Sequence, residues 1–286
     1  MRPVIHIAAA LCLAAAVSSA GQVPAADASK VIAAAREALG GEKRLSAIKA
    51  FTVTGRTQQV RGNNLVPIEF EIVCELPDKY RRTDEIPAQE SGPTAAGFIG
   101  DALIAVPALA APQGRGSSGP ATPDQVAAAR TGRTAAVKQD FVRLTLGMFA
   151  GSFASYPLTF SYVGKAEAPQ GQADVLDVKG PANFALRLFV NSETHLPLMV
   201  SWQAPAGGPA ARGGPGGRGP GEAPGGRGPA SEIENRLYYA DYREIEGLRW
   251  PFRLRRSAGA DTIEETTIDR FRINAKIDPK KFDAPK

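Results

Sequence analysis

The sequence is poor in the side chains that most often carry chemistry. Its 286 residues include 2 cysteines, 2 histidines and 2 tryptophans. Cys12 and His6 fall within the first stretch of the chain, so everything after residue 20 holds only Cys74 and His195. A lone cysteine cannot close an internal disulfide, even in an oxidising compartment. A zinc site built from several Cys and His side chains is excluded, and any Cys–His or Ser–His catalytic pair must use His195. Beyond residue 20 no apolar run is long enough to span a bilayer. Helical patterns do not recur between strand patterns, which argues against a parallel βαβ architecture.

What is present is a leader, a long series of strands and a few helices. Residues 1–20 read as a secretory signal: Arg2 supplies the charge, Val4 to Val17 the apolar segment, and Ser18-Ser19-Ala20 the small-residue cleavage site. The formal net charge is +5, and loss of Arg2 with the leader leaves +4, a mildly basic protein suited to an anionic surface without requiring nucleic acid. Residues 21–286 read as one domain.

The stretch Leu248 to Arg255 organises the reading. Leu248, Trp250, Phe252 and Leu254 alternate with Arg249, Pro251, Arg253 and Arg255. A strand sends successive side chains to opposite faces, so one face is apolar and the other basic. Pro251 cannot donate to a ladder and predicts an edge strand or a bulge. Ile233 to Ile245 is the expected hairpin partner. Val66, Ile68, Phe70, Ile72, Cys74 and Leu76 share another apolar face, which makes Cys74 a buried residue rather than a reactive thiol. Leu158, Phe160 and Tyr162 alternate, as do Phe184, Leu186, Leu188 and Val190. Leu196, Leu198, Val200 and Trp202 form the apolar side of the next strand.

Asp27 is placed to cap a helix over 28–39 that Gly40-Gly41 ends, and a short helix is expected near 42–48. Thr122-Pro123-Asp124 opens a helix reaching towards Phe149, whose Phe141, Leu144, Thr145 and Met148 form a stripe suited to lying over a sheet. Residues 107–123 read as a loop. Residues 204–230 are almost entirely Gly, Pro, Ala and Arg, too poor in apolar surface to offset ordering entropy, and are expected to be a disordered loop. The sum is a mainly β protein with helices: about ten or eleven antiparallel strands in a curled sheet, an incomplete β-barrel with a helical lid.

The order of features resembles the periplasmic lipoprotein-sorting carriers, the Lol-type localisation factors, and their outer-membrane lipoprotein-sorting relatives. The resemblance is carried by the helix leading through Gly40-Gly41 to Phe51-Thr-Val-Thr-Gly55, by Pro77-Asp-Lys-Tyr-Arg81 and by Glu193-Thr-His-Leu-Pro197. Tyr242, Gly247-Leu-Arg-Trp-Pro251 and the closing Asp278-Pro-Lys-Lys-Phe282 with Pro285 complete it. It implies a half-barrel whose apolar cavity holds the acyl chains of a lipoprotein or lipid in the periplasm. It further implies an inner-membrane donor, an outer-membrane acceptor, and peripheral membrane contact at most. The carriers have an arginine directly before the proline of the second-strand turn; this chain has Leu76. It also lacks the tryptophan of their Gly-x-x-Leu-Trp-like strand near Gly100-Asp-Ala-Leu103.

The candidate ligand-binding residues are Phe70, Ile72, Leu158, Phe160, Leu188, Leu198, Trp202, Trp250 and Phe252; for any one of them, ordinary core is the simpler reading. No catalytic residue, metal or cofactor is expected. The competing readings are a sensing or protein-interaction domain of the same fold, a hydrolase using His195 with Ser192 or Ser201, and nucleic-acid binding through Arg212, Arg218 and Arg227. The hydrolase lacks a nucleophile elbow, and the arginine–glycine insert lacks the aromatics that single-stranded nucleic acid stacks on.

Overall fold

The structure, a computed structural model, describes residues 25–87, 89, 92–108, 122–168, 171–205 and 232–283. The expected leader, most of the loops at 107–123 and 204–230, and Pro285 lie outside the described residues.

Helix α1 (Ala25–Ala38) and the short α2 (Glu42–Ser46) precede β1 (Ala50–Arg61), β2 (Asn64–Glu75) and β3 (Lys79–Glu85). Strands β4 (Thr94–Ile99) and β5 (Ala102–Val106) lead to the long α3 (Pro123–Phe149). Then follow β6 (Thr159–Ala168), β7 (Gly171–Gly180), β8 (Phe184–Asn191), β9 (Pro197–Pro205), β10 (Glu232–Ile245), β11 (Leu248–Ala258) and β12 (Asp261–Ile273), with a 3-10 turn at Pro279–Phe282. All the strands among the described residues belong to one 12-stranded sheet in the order β5-β4-β3-β2-β1-β12-β11-β10-β9-β8-β7-β6. Every pairing is antiparallel, and β1 lies beside β12. The strands exceed the expected ten or eleven because Ile99 and Ala102 bracket a true hairpin. The sheet is curled and unclosed: β5 and β6 are its two end strands.

One face of the sheet is covered by α1 and α3. On β1 it carries Phe51, Val53, Gly55, Thr57 and Gln59, each buried, with exposed residues between them from Thr54 onward. Directly paired residues of antiparallel strands share a face. Cys74, Ile72, Phe70 and Ile68 of β2 therefore lie beside them. The opposite face carries the C-terminal segment. Ile277 and Phe282 pack on Val73 and Ile104, and Arg81 donates to the carbonyl of Lys281 at 2.7 Å.

Helix α3 starts as its sequence requires. The Thr122 hydroxyl accepts from Gln125 N, and the Gln125 side chain accepts from Thr122 N, a reciprocal cap that satisfies two orphan donors. The helix ends at Ala150, which adopts the left-handed conformation at φ 44. Most of its first turns, from Pro123 to Gly132, are exposed, whereas nearly everything from Phe141 to Phe149 is buried.

Three expectations need correction. The helix expected from Ala28 already includes Ala25. Strand β11 is not at an edge but lies between β10 and β12. Pro251 is tolerated there because β12 pairs with β11 only from Arg253 onward. The unpaired side of the earlier stretch meets α1 instead, where Arg249 N donates to Leu39 O at 2.9 Å. Finally, Leu198 does not continue the alternation of β9. The register slips so that Phe189 faces Met199 and Val190 faces Pro197, leaving Leu198 as the extra residue of a bulge.

Candidate functional site: the concave face beneath the long helix

The concave face divides into an apolar floor and a charged band. The floor is built around a chain of rings. Phe51 stacks on Phe271 at 5.5 Å between centroids, and Phe271 on Trp250 at 4.2 Å. Trp250 meets Phe149 of α3 edge-on at 5.4 Å. Phe149 meets Phe153 at 5.5 Å, Phe153 meets Phe141 at 5.8 Å, and Phe141 meets Tyr80 at 4.9 Å and Phe98 at 5.5 Å. Offset and edge-on ring pairs contribute about 0.5–1.5 kcal/mol each beyond their buried area. The rings carry α3 from the middle of the sheet out to β4.

Three tyrosines of the floor have phenol pKa values above the ordinary range. Burial is the largest cause for Tyr80, Tyr239 and Tyr242. Two of them fasten the helix. The Tyr239 hydroxyl donates to Arg143 O, and the Tyr242 hydroxyl lies 2.9 Å from both Gly147 O and Pro197 O. Helix α1 joins through Arg36, which donates to Phe149 O at 2.7 Å.

The charged band crosses the same face. Tyr80, Arg82 and Asp84 of β3 pair with Cys74, Ile72 and Phe70, so they point inward. Arg82 bonds Asp84 at 2.7 Å and lies 4.7 Å from the Phe70 ring centroid. Glu264 and Thr266 of β12 pair with Arg256 and Leu254 of β11, and Thr57 and Thr266 share a buried hydrogen bond of 2.8 Å. Asp140 of α3 accepts from Arg143 at 2.8 Å and from Arg256 at 2.9 Å. Burial raises the Asp140 pKa, but the Arg256 and Arg143 guanidiniums outweigh it and hold the carboxyl below its ordinary value.

The candidate residues are distributed over this face as follows. Leu188 and Trp250 are wholly buried; Phe70, Ile72, Trp202 and Phe252 are nearly so. Leu158 and Phe160 are half-buried against the same core, and Leu198 is half-buried at its bulge. Side chains of α3 and the ring chain fill the middle of the concavity. A cavity of about 200 Å³ lies towards the seam, lined by Phe98, Phe141, Tyr156, Lys138, Asp101 and Asp78 among others. Sequence reading named Phe141 only as part of a helical stripe and missed Phe98 and Tyr156. Phe141 and Phe149, two turns apart, were the available signal that α3 fills the sheet rather than only covering it.

His195 is exposed, at φ 58, in the turn between β8 and β9. The Ser192 hydroxyl donates to Asp174 at 3.0 Å, and Ser201 is buried in β9. Among the described residues no three His, Cys, Asp or Glu side chains converge as metal ligands. No described helix is long and apolar enough to cross a membrane.

No protein-family model matches the chain, and no curated protein matches it. Solved structures do. A LolA superfamily protein from Nitrosomonas europaea is 12% identical, with a TM-score of 0.51 over 90% of this chain and 97% of that one. A putative outer membrane lipoprotein-sorting protein domain from Vibrio parahaemolyticus is 10% identical, with a TM-score of 0.51 over 89% and 97%. At such identities the likeness is one of fold, and the fold is LolA-like: an unclosed, curled antiparallel sheet with helices on its concave side.

Proposed function

We propose that the protein is a non-enzymatic periplasmic carrier that binds an acyl chain of a lipid or lipoprotein between α3 and the concave face of the sheet. The observation that carries this reading is the seam. Strands β5 and β6 are the two free ends of the sheet, and α3, which connects them in sequence, packs across β4, β5, β9 and β11. A closed barrel has no such opening; here α3 lies over the aromatic floor between the two end strands, with α1 packed on β6.

The closed arrangement leaves little room for a chain. Ligand pockets usually measure about 300–1,000 Å³, and 200 Å³ at the seam is too small for a long chain. Loading therefore requires the buried half of α3 to lift, with the chain replacing its side chains against the candidate residues Phe70, Ile72, Leu158, Phe160, Leu188, Leu198, Trp202, Trp250 and Phe252. Each CH₂ taken from water returns about 0.8 kcal/mol. Over a long chain this comes to on the order of 10 kcal/mol, which is set against the lost contacts of one helical face. The reading includes export by residues 1–20 and delivery between an inner-membrane donor and an outer-membrane acceptor.

Solvent extraction of natively purified protein, followed by mass spectrometry, tests it. Reproducible acylated material is expected. A clean extract, together with no binding of a fluorescent fatty acid, would favour a protein-interaction domain of the same fold, for which the filled interior is the supporting observation.

A further inference from the structure

From the Arg143–Trp202–Arg256 cluster we infer a site for an oxyanion head, phosphate or carboxylate, on the amphiphile whose chain enters beneath α3. The inference rests on the acyl-chain reading and adds the chemistry of the ligand's polar end. Arg143 of α3 and Arg256 of β11 lie over the same indole, with guanidinium carbons 4.3 and 5.4 Å from the Trp202 ring. Both bond a single oxygen of Asp140, at 2.8 and 2.9 Å. Two fixed cations therefore share one carboxylate.

Among the described residues neither guanidinium has a second carboxylate in ion-pair contact. Glu264 stands opposite Arg256 in the ladder, yet its carboxylate accepts from Thr266 at 3.3 Å and makes no ion pair with Arg256 among the described residues. The Nε atoms of both arginines are buried and have no hydrogen-bond partner among the described residues. Desolvating a guanidinium and leaving a donor unused is costly, so a purely structural clasp would be built with one arginine. Two planar forks over an aromatic face match an oxyanion held from both sides. The cluster also has an approach. The Asp140 side chain is 54% exposed, against 12% for Arg143 and 21% for Arg256. Asp140 and Arg143 move with α3, so lifting the helix parts Arg256 from its carboxylate, and the head is taken up between the two forks as the helix recloses over the chain. Asp140 then acts as a stand-in for the ligand's oxyanion in the closed state.

Binding is measured on the full chain by Trp fluorescence, with three probes: inorganic phosphate, a single-chain lysophosphatidic acid, and a monoacylglycerol of the same chain. The wild-type protein is expected to prefer the anionic amphiphile by roughly tenfold, as a charge-assisted bidentate contact provides. Arg256→Gln should bring the preference to within about twofold of unity, and Arg256→Lys, which keeps the charge and loses the fork, should fall between. Asp140→Asn should raise the preference while lowering stability, an opposition that a structural clasp does not predict. Equal binding of the two amphiphiles by the wild type overturns the inference and leaves the carrier reading intact. If neither amphiphile binds, phosphate decides: a thermal stabilisation lost in Arg256→Gln keeps the anion site without the carrier, and no stabilisation removes both.

Discussion

The ring of Tyr239 occupies the space that a side chain at Gly147 would need. A Cβ built there would lie 2.4 Å from one ring carbon and 2.5 Å from another. Helix α3 thus touches β10 through bare backbone, close enough for the Tyr239 hydroxyl to reach Arg143 O one turn earlier. On an exposed helix Gly→Ala stabilises by about 1 kcal/mol. Here the added methyl must push the tyrosine away, and overpacking of this kind costs about 1–3 kcal/mol. Gly147→Ala is therefore expected to lower the urea midpoint, and Gly147→Ala with Tyr239→Ala should show a coupling of about 1 kcal/mol between the two sites. A single Gly147→Ala variant more stable than the wild type would show that the helix is not seated on this strand.

Phe141 is the ring through which α3 reaches both Tyr80 and Phe98, and it also lines the seam cavity. Truncation to alanine should cost about 3–5 kcal/mol and join the space it vacates to that cavity. If the seam is where a chain enters, Phe141→Ala should bind a fluorescent fatty acid faster than the wild type although it is less stable. Slower uptake in a folded variant would place the entrance elsewhere.

These two positions show how far the sequence could be read. Alternation alone identified the strands, and Phe70, Ile72, Leu188, Trp202 and Trp250 all lie on the buried side it assigned. It failed where the ladder slips, because a period of two carries no marker for an inserted residue. Alternation places Leu198 inward, whereas it is the extra residue of a bulge and Pro197 takes the inward place opposite Val190. Arg256 continues the apolar parity of Leu254 and points inward, which alternation permits but polarity disguises. Pro251 predicts an edge or a bulge because the sequence cannot show that a neighbouring strand stops pairing two residues away. The filling of the concavity was least visible, since a buried helix face against a sheet has the same pattern as a lid over a void.

Asp140 gives a pH signature. Its folded pKa lies below the ordinary 3.8 because two guanidiniums outweigh its burial. A depressed carboxyl contributes stability that is complete above the unfolded value and is lost as pH falls through the folded one. The loss therefore falls below about pH 4. Since the side chain is 54% exposed, solvent screening limits the contribution to about 1 kcal/mol or less. Asp140→Asn should be less stable than the wild type at neutral pH, and the difference should shrink below about pH 4. A difference that stays constant down to pH 2 would mean that the ion pairs do not hold the helix.

Cys74 can report whether α3 opens without the sheet unfolding. It is fully buried in β2, and its thiol pKa is raised, first by burial and then by the neighbouring Glu75 carboxylate. A raised pKa leaves little thiolate, so the closed protein should resist a disulfide-exchange reagent. Cys74 pairs with Tyr80, whose ring is covered by Phe141 of the helix. Lifting α3 bares that region while β1 and β3 continue to hold β2. Labelling in low urea should then depend on denaturant less steeply than global unfolding does, because the slope follows the surface exposed in the opening event. Merging of the two slopes only at higher urea is the expected pattern. If labelling follows the global slope at every concentration, the helix and the sheet open as one unit. No chain could then be loaded by displacing α3, and the concave face would be core alone.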